Sequence, residues 1–113
     1  MPRNISFAMT TEQIRNRSKT VTRRFGWGFL KVGDRLWGVE KAMGLKKGEK
    51  VKRLALIEVV SVGYEPLEDI TQDDVIKEGF AGWTPRMFTD FIVKHYKCER
   101  HKPINRIEFK YVE

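Results

Sequence analysis

Apolar residues in this chain mostly alternate in short runs, and only one stretch sustains them at helical spacing. In "ISFAM", Ile5, Phe7 and Met9 fall on one face of an extended segment, which predicts a short strand. "TVTRR" is rich in β-branched residues and suits a second strand. "RLWGVE" follows Gly33-Asp34 and predicts a third. "VKRLALIEVVSV" is almost continuously apolar, so a strand buried on both faces is expected there. "INRIEFKYV" closes the pattern, with Ile107, Phe109 and Tyr111 on one side and Arg106, Glu108 and Lys110 on the other. Between these runs, "FGWGF" reads as an aromatic loop broken by glycines, and "KAMGLKKGEK" as a basic loop or hairpin tip.

Three segments carry helix signals. "TTEQIRNR" has Thr10 as N-cap and Gln13 three residues on as a capping-box partner. "TQDDVIKEG" has Thr71 as N-cap, Asp73 and Asp74 in its first turn, and Gly79 as its stop. "TPRMFTDFIVKHYK" starts on Thr84 with Pro85 at the first helical position. Its stripe of Met87, Phe88, Phe91, Ile92 and His95 is expected to face the core. The resulting order, β-α-β-β-β-α-α-β, holds no repeat. It predicts an α+β fold, a small, curved, mixed sheet or barrel with short helices over its ends.

At 113 residues the chain reads as one domain, 1–113, with room for one core. No run approaches the roughly 18 apolar residues of a membrane span, and no apolar leader follows Arg3. The single cysteine, Cys98, excludes an internal disulfide and a multi-cysteine zinc site, so a reducing, cytoplasmic setting is expected. Charge changes the picture more. The net charge is +7 and unevenly spread. Within residues 1–24, Arg3, Arg15, Arg17, Lys19, Arg23 and Arg24 stand against Glu12 alone. Within residues 41–53, Lys41, Lys46, Lys47, Lys50, Lys52 and Arg53 stand against Glu49 alone, while residues 58–78 are strongly acidic. A basic flank of this kind attracts polyanions, nucleic acid first among them. The plainer alternative is a solvated face that keeps the protein soluble.

No P-loop, HExxH or paired-cysteine motif is present, and neither a metal nor a cofactor is called for. His95 lies on the apolar stripe, where a satisfied core histidine is expected. His101, in "CERHKP", reads as exposed, and Cys98 as a bystander. That leaves "SKTVTRR", Ser18 to Arg24. A lysine and a hydroxyl form a nucleophile–base pair when burial leaves the lysine neutral, and the like charges of Arg23 and Arg24 push the same way. Lys19 and Thr22 are three apart and would point to opposite faces of a regular strand. Lys19 is therefore expected in the turn before the strand, free to curl back toward Thr22 or Thr20. On the residues alone, a solvated basic strand edge competes with this reading.

Lys19-Thr20-Val21-Thr22-Arg23-Arg24, preceded by a helix and followed by "VGDRL" and an apolar strand, resembles the ASCH family of PUA-like domains. The family signature is close to GxKxxExR. Lys19 falls on its lysine and Arg24 on its arginine. Thr22 stands where the signature has glutamate, as in a branch of small bacterial ASCH proteins that carry KTxTxR and are assigned as N4-acetylcytidine amidohydrolases. The likeness also takes in the first strand, "LALIEVV", the "KEGF" helix end and the final strand. Arg17 replaces the signature's glycine, so a different backbone and a bulkier rim are expected before Lys19.

The resemblance implies a PUA-like mixed β-barrel with short flanking helices, whose cleft meets RNA or a modified pyrimidine nucleoside. It implies Lys19, Thr22 and Glu78 as catalytic residues, with Asp73 or Asp74 as alternatives to Glu78. Thr20, Arg24, Phe25 and Trp27 would bind substrate, with Trp83 as a further ring for stacking. Arg17, Arg23, Lys41, Lys46, Lys47, Lys50 and Arg53 would contact nucleic acid. Hydrolysis of an acylated nucleoside is one reading. The others are a non-catalytic RNA-binding module, a ribonuclease using the same basic cleft, or a motif that only knits the barrel.

Overall fold

The computed structural model describes residues 2–41, 48 and 50–112, so Lys46 and Lys47 lie outside the described residues. Five strands, β1 (Arg3–Ser6), β2 (Val21–Arg24), β3 (Arg35–Val39), β4 (Arg53–Pro66) and β5 (Pro103–Tyr111), form one sheet in the order β1-β3-β4-β5-β2. β1 runs parallel to β3, and the other neighbours are antiparallel. Register shifts at Gly38/Val39 and at Val59/Ser61 bend the sheet. It curls into a half-barrel, flanked by α1 (Thr11–Arg15), α2 (Gln72–Lys77) and α3 (Pro85–Tyr96). The element order is the one the sequence pattern predicts. β1 and β2 each pair on one side only, so the curl has an opening between them.

Two apolar clusters hold this shape. Ile5, Phe7, Leu36, Ile57, Ile107 and Phe109 pack inside the curl with Ile14 of α1. Leu67, Ile70, Val75, Phe88, Ile92 and Ile104 form a second cluster where α2 and α3 cover the far end of β4 and β5. Both long helices are capped as their sequences require: Thr71 accepts from the Asp74 amide and Thr84 from the Met87 amide.

Local details depart from expectation where tertiary contacts outweigh pattern. β1 ends at Ser6 and the chain turns, leaving Met9 exposed. The capping box of α1 does not form: Thr10 makes no side-chain cap, and Gln13 instead donates to the Gly79 carbonyl at 3.1 Å. In β4, Ala55, Ile57 and Val59 are buried while Leu54 and Leu56 are half-buried, because one face of the sheet carries the core. In α3 the buried line is Phe88, Thr89 and Ile92, with Met87 and His95 exposed. His95 is therefore not a core histidine. No helix among the described residues is long and apolar enough to cross a membrane.

Gly79 joins α2 to the opening of the barrel at φ +96°, and a Cβ there would stand 2.7 Å from Cγ of Gln13. Gly79→Ala is expected to cost about 1–2 kcal/mol or more, from the left-handed backbone alone. Urea unfolding checks this; a variant as stable as the parent would contradict it.

Candidate active site

Lys19 is delivered by a tight turn. Arg17 takes φ 63°, a left-handed conformation that glycine favours, so the arginine is accommodated with a glycine-like backbone and its guanidinium lies 5.1 Å from the Tyr111 ring centroid. Tyr111 Oη donates to the Lys19 carbonyl at 2.6 Å, and the Lys19 amide donates to Gln13 O. With its main chain tied on both sides, Lys19 turns its side chain inward, where the residue is 3% exposed. As its spacing from Thr22 requires, it sits just before β2 rather than within it.

The amine meets Glu78, the C-cap of α2. Lys19 Nζ donates to the Glu78 carbonyl at 2.7 Å and to its Oε1 at 2.8 Å. The second carboxylate oxygen, Oε2, accepts from Arg23 Nη1 at 3.1 Å. Arg23 Nη2 also reaches Asp74 Oδ2 at 2.6 Å and Glu65. Arg24 points elsewhere: its Nε donates to Thr22 Oγ1 at 3.2 Å, and its Nη2 crosses the opening to the Ser6 carbonyl. The guanidinium lies 4.9 Å from the Phe7 ring centroid.

Burial lowers the proton affinity of Lys19. Glu78 opposes that shift, and the Arg24 and Arg23 charges add to it. Burial also lowers that of Arg24. The Asp74 carboxyl is held far below the usual range by hydrogen bonds from Arg106 first and then Arg23, against the opposing effect of burial. The Tyr111 phenol is pushed up to about 12 by burial.

Lys19, Thr22, Arg24 and Glu78 line one cavity of about 230 Å³ at the opening between β1 and β2. Ser6 to Thr10 form one wall. Phe80, Phe91, His95 and Tyr96 supply an aromatic wall. The His95 ring lies nearly parallel to Phe91, 18° at 6.2 Å, and edge-on to Tyr96 at 4.8 Å. Lys19 Nζ is 5.9 Å from the Phe80 ring centroid.

Arg23 lines this cavity too, and the other sequence candidates sit apart from it. Thr20 is engaged through its backbone with Lys77 and Phe109. Phe25 packs edge-on to Tyr96 and beneath Lys102, whereas Trp27 stacks on Phe29 and packs against the first core cluster. Trp83 packs against Phe80 and Phe91 in the second cluster. Arg17, Lys41, Lys50 and Arg53 are exposed, the last lying over Trp37. Arg23 requires a correction. Its side chain is 0% exposed and committed to carboxylates, so it cannot serve as a surface contact to phosphate. Asp74 does not touch Lys19; it pairs with Arg23 and Arg106, while Asp73 is exposed.

Pattern reasoning missed the aromatic wall. Phe91 and His95 carried a signal, four residues apart on one helical stripe, but periodicity does not distinguish a stripe facing core from one facing a cavity. The Arg23–Asp74–Arg106 link carried none, since it depends on strand register.

A curled, mixed sheet with flanking helices and a cavity at its open edge makes this a small α+β half-barrel domain. Among solved structures, the chain is similar to an ASCH domain from Lactobacillus crispatus, with a TM-score of 0.74 and 14% identity over 97% of this chain and 79% of that one. It is also similar to a DUF984 protein from Enterococcus faecalis, with a TM-score of 0.67 and 16% identity over 99% and 77% of the respective chains. The fold is that of an ASCH domain. No family model matches the sequence, and no curated protein matches it.

Glu78 anchors two buried basic side chains, so Glu78→Gln leaves Lys19 without its carboxylate and Arg23 with Glu65 and Asp74 only. The expected loss is about 3–5 kcal/mol, the usual cost of breaking a buried ion pair from one side. An unfolding curve in urea that overlays the parent's would contradict the buried pairing.

Proposed function

We propose that the protein engages a modified pyrimidine nucleoside and hydrolyses the amide of an acylated cytidine such as N4-acetylcytidine. The observation that carries this reading is the buried amine of Lys19, which donates twice to Glu78 within a cavity it shares with Thr22. A neutral lysine amine has two N–H groups and one lone pair. If both N–H groups are held by Glu78, the lone pair is left for the Thr22 hydroxyl. Burial, together with Arg23 and Arg24, favours that neutral form. The cavity is smaller than the roughly 300–1,000 Å³ of drug-sized pockets, and its polar floor and aromatic wall suit one flat ring with the sugar at the mouth.

In this mechanism Thr22 Oγ attacks the acetyl carbonyl while Lys19 takes the hydroxyl proton, forming a C–O bond and a tetrahedral oxyanion. Arg24, already bonded to Thr22 Oγ1, is the nearby cation for that oxyanion. Collapse breaks the C–N bond, and Lys19 returns the proton to the departing N4 amine of cytidine. Water then attacks the acetyl ester carbonyl, giving a proton to Lys19; collapse breaks the C–Oγ bond, Lys19 returns that proton to Thr22 Oγ, and acetic acid leaves and ionises to acetate. Glu78 orients Lys19 throughout.

A second reading, an RNA-binding module, is favoured by one observation. Arg17, Lys41, Lys50 and Arg53 are exposed and lie outside the cavity, and a free nucleoside needs none of them. The ASCH-domain fold also supports an RNA-related role.

Incubation with N4-acetylcytidine, followed by chromatography, separates the two. The parent is expected to release cytidine, and Thr22→Ala, shown to be folded by circular dichroism, to release it at least about 100-fold more slowly. A parent that releases none would remove the amidohydrolase reading and leave the RNA-binding one.

A further inference from the structure

Strand register sets Arg23 of β2 directly opposite Arg106 of β5. Like charges facing across an antiparallel pair are ordinarily destabilising. Here Asp74, in the first turn of α2, lies between them: its Oδ2 accepts from Arg23 Nη2 at 2.6 Å and from Arg106 Nε at 2.7 Å, and its Oδ1 from Arg106 Nη2 at 3.0 Å. Arg23 passes on to Glu78, and Glu78 to Lys19. The side chains alternate in sign from Lys19 through Glu78, Arg23 and Asp74 to Arg106, with Glu65 also bonded directly to Arg23; the inner three are at most 3% exposed, whereas Asp74 is 11%, Arg106 23% and Glu65 30% exposed. Among the described residues, buried Arg23 Nε has no acceptor, an unmet donor of a kind that calls for an explanation beyond packing.

We propose that Asp74 and Arg106 are positioning residues that act through Arg23 and Glu78 to set the proton affinity of Lys19. The inference rests on the reading of Lys19 as a base, but it concerns the free protein. Glu78 divides one negative charge between Lys19 and Arg23. How much of its field Lys19 feels depends on how far Arg23 is neutralised from its other side. Asp74 and Glu65 both neutralise Arg23, and Arg106 in turn draws on Asp74. Among the described residues, the other titratable groups around Lys19 are Arg24 on β2, His95 and Tyr96 on α3, which line the same cavity, and Tyr111 on β5, which meets its carbonyl. None of these belongs to the chain from Arg23 to Arg106.

The two ends of the chain have opposite expected effects. Asp74→Asn removes a negative charge, leaves Arg23 less compensated and lowers the pKa of Lys19 by about one unit. Arg106→Gln removes a positive charge and raises it. The measurement is an NMR titration of the Lys19 side-chain amine in parent and both variants, without substrate, so its outcome is independent of whether acetylcytidine is cleaved. Opposite shifts support the proposal. Equal titration curves in all three proteins, or shifts of the same sign, overturn it, because a purely structural link has no reason to reverse sign. Should Asp74→Asn fail to fold, Asp74→Glu is expected to titrate like the parent, and Arg106→Gln still decides the sign. A lowered or unchanged value in Arg106→Gln then overturns the proposal.

Discussion

Glu78 offers one carboxylate to two buried basic side chains, and the cavity is arranged around that division. Lys19 takes one oxygen and the carbonyl of the same residue, and Arg23 takes the other oxygen. Removing charges from water is costly, and such a cluster persists only when each member is bonded on several sides. The fold meets that condition from separate elements: the turn after α1 brings Lys19, β2 brings Arg23, and the end of α2 brings Glu78. α2 in turn is placed by its Thr71 cap and by Val75 in the second apolar cluster.

The same arrangement explains why the cavity lies where it does. Because β1 and β2 do not pair with each other, the curled sheet leaves an opening, which Arg24 crosses to reach Ser6. Thr22, Arg23 and Arg24 of β2 all line the opening, but the Arg23 side chain is bonded to the buried carboxylates while Arg24 reaches Thr22 and Ser6. Strand alternation thus divides one basic run into two jobs. Aromatic side chains from α3 and the segment after α2 complete the cavity.

Much of this was legible in residue order. The sequence of elements followed from alternation and caps, and the parity of Lys19 and Thr22 required Lys19 to precede the strand. The family resemblance, through the "KEGF" helix end, implied Glu78, with Asp73 or Asp74 as alternatives. Three things were not legible, each for a physical reason. Arg23 looked like a surface charge because its burial depends on carboxylates from β4 and α2, far away in sequence. His95 looked like core because a helical stripe has the same period whether it meets packed side chains or a cavity. The capping box at Thr10 failed because Gln13 found a long-range partner in Gly79.

The central claim is that this cavity, rather than the basic surface, receives the modified base. The most direct measurement is a crystal structure of Thr22→Ala soaked with N4-acetylcytidine. The account expects the ring against the aromatic wall of Phe80, Phe91 and His95, with its N4 within about 3.2 Å of Lys19 Nζ. A nucleoside bound elsewhere, along Lys41, Lys50 and Arg53 with the cavity empty, would contradict it.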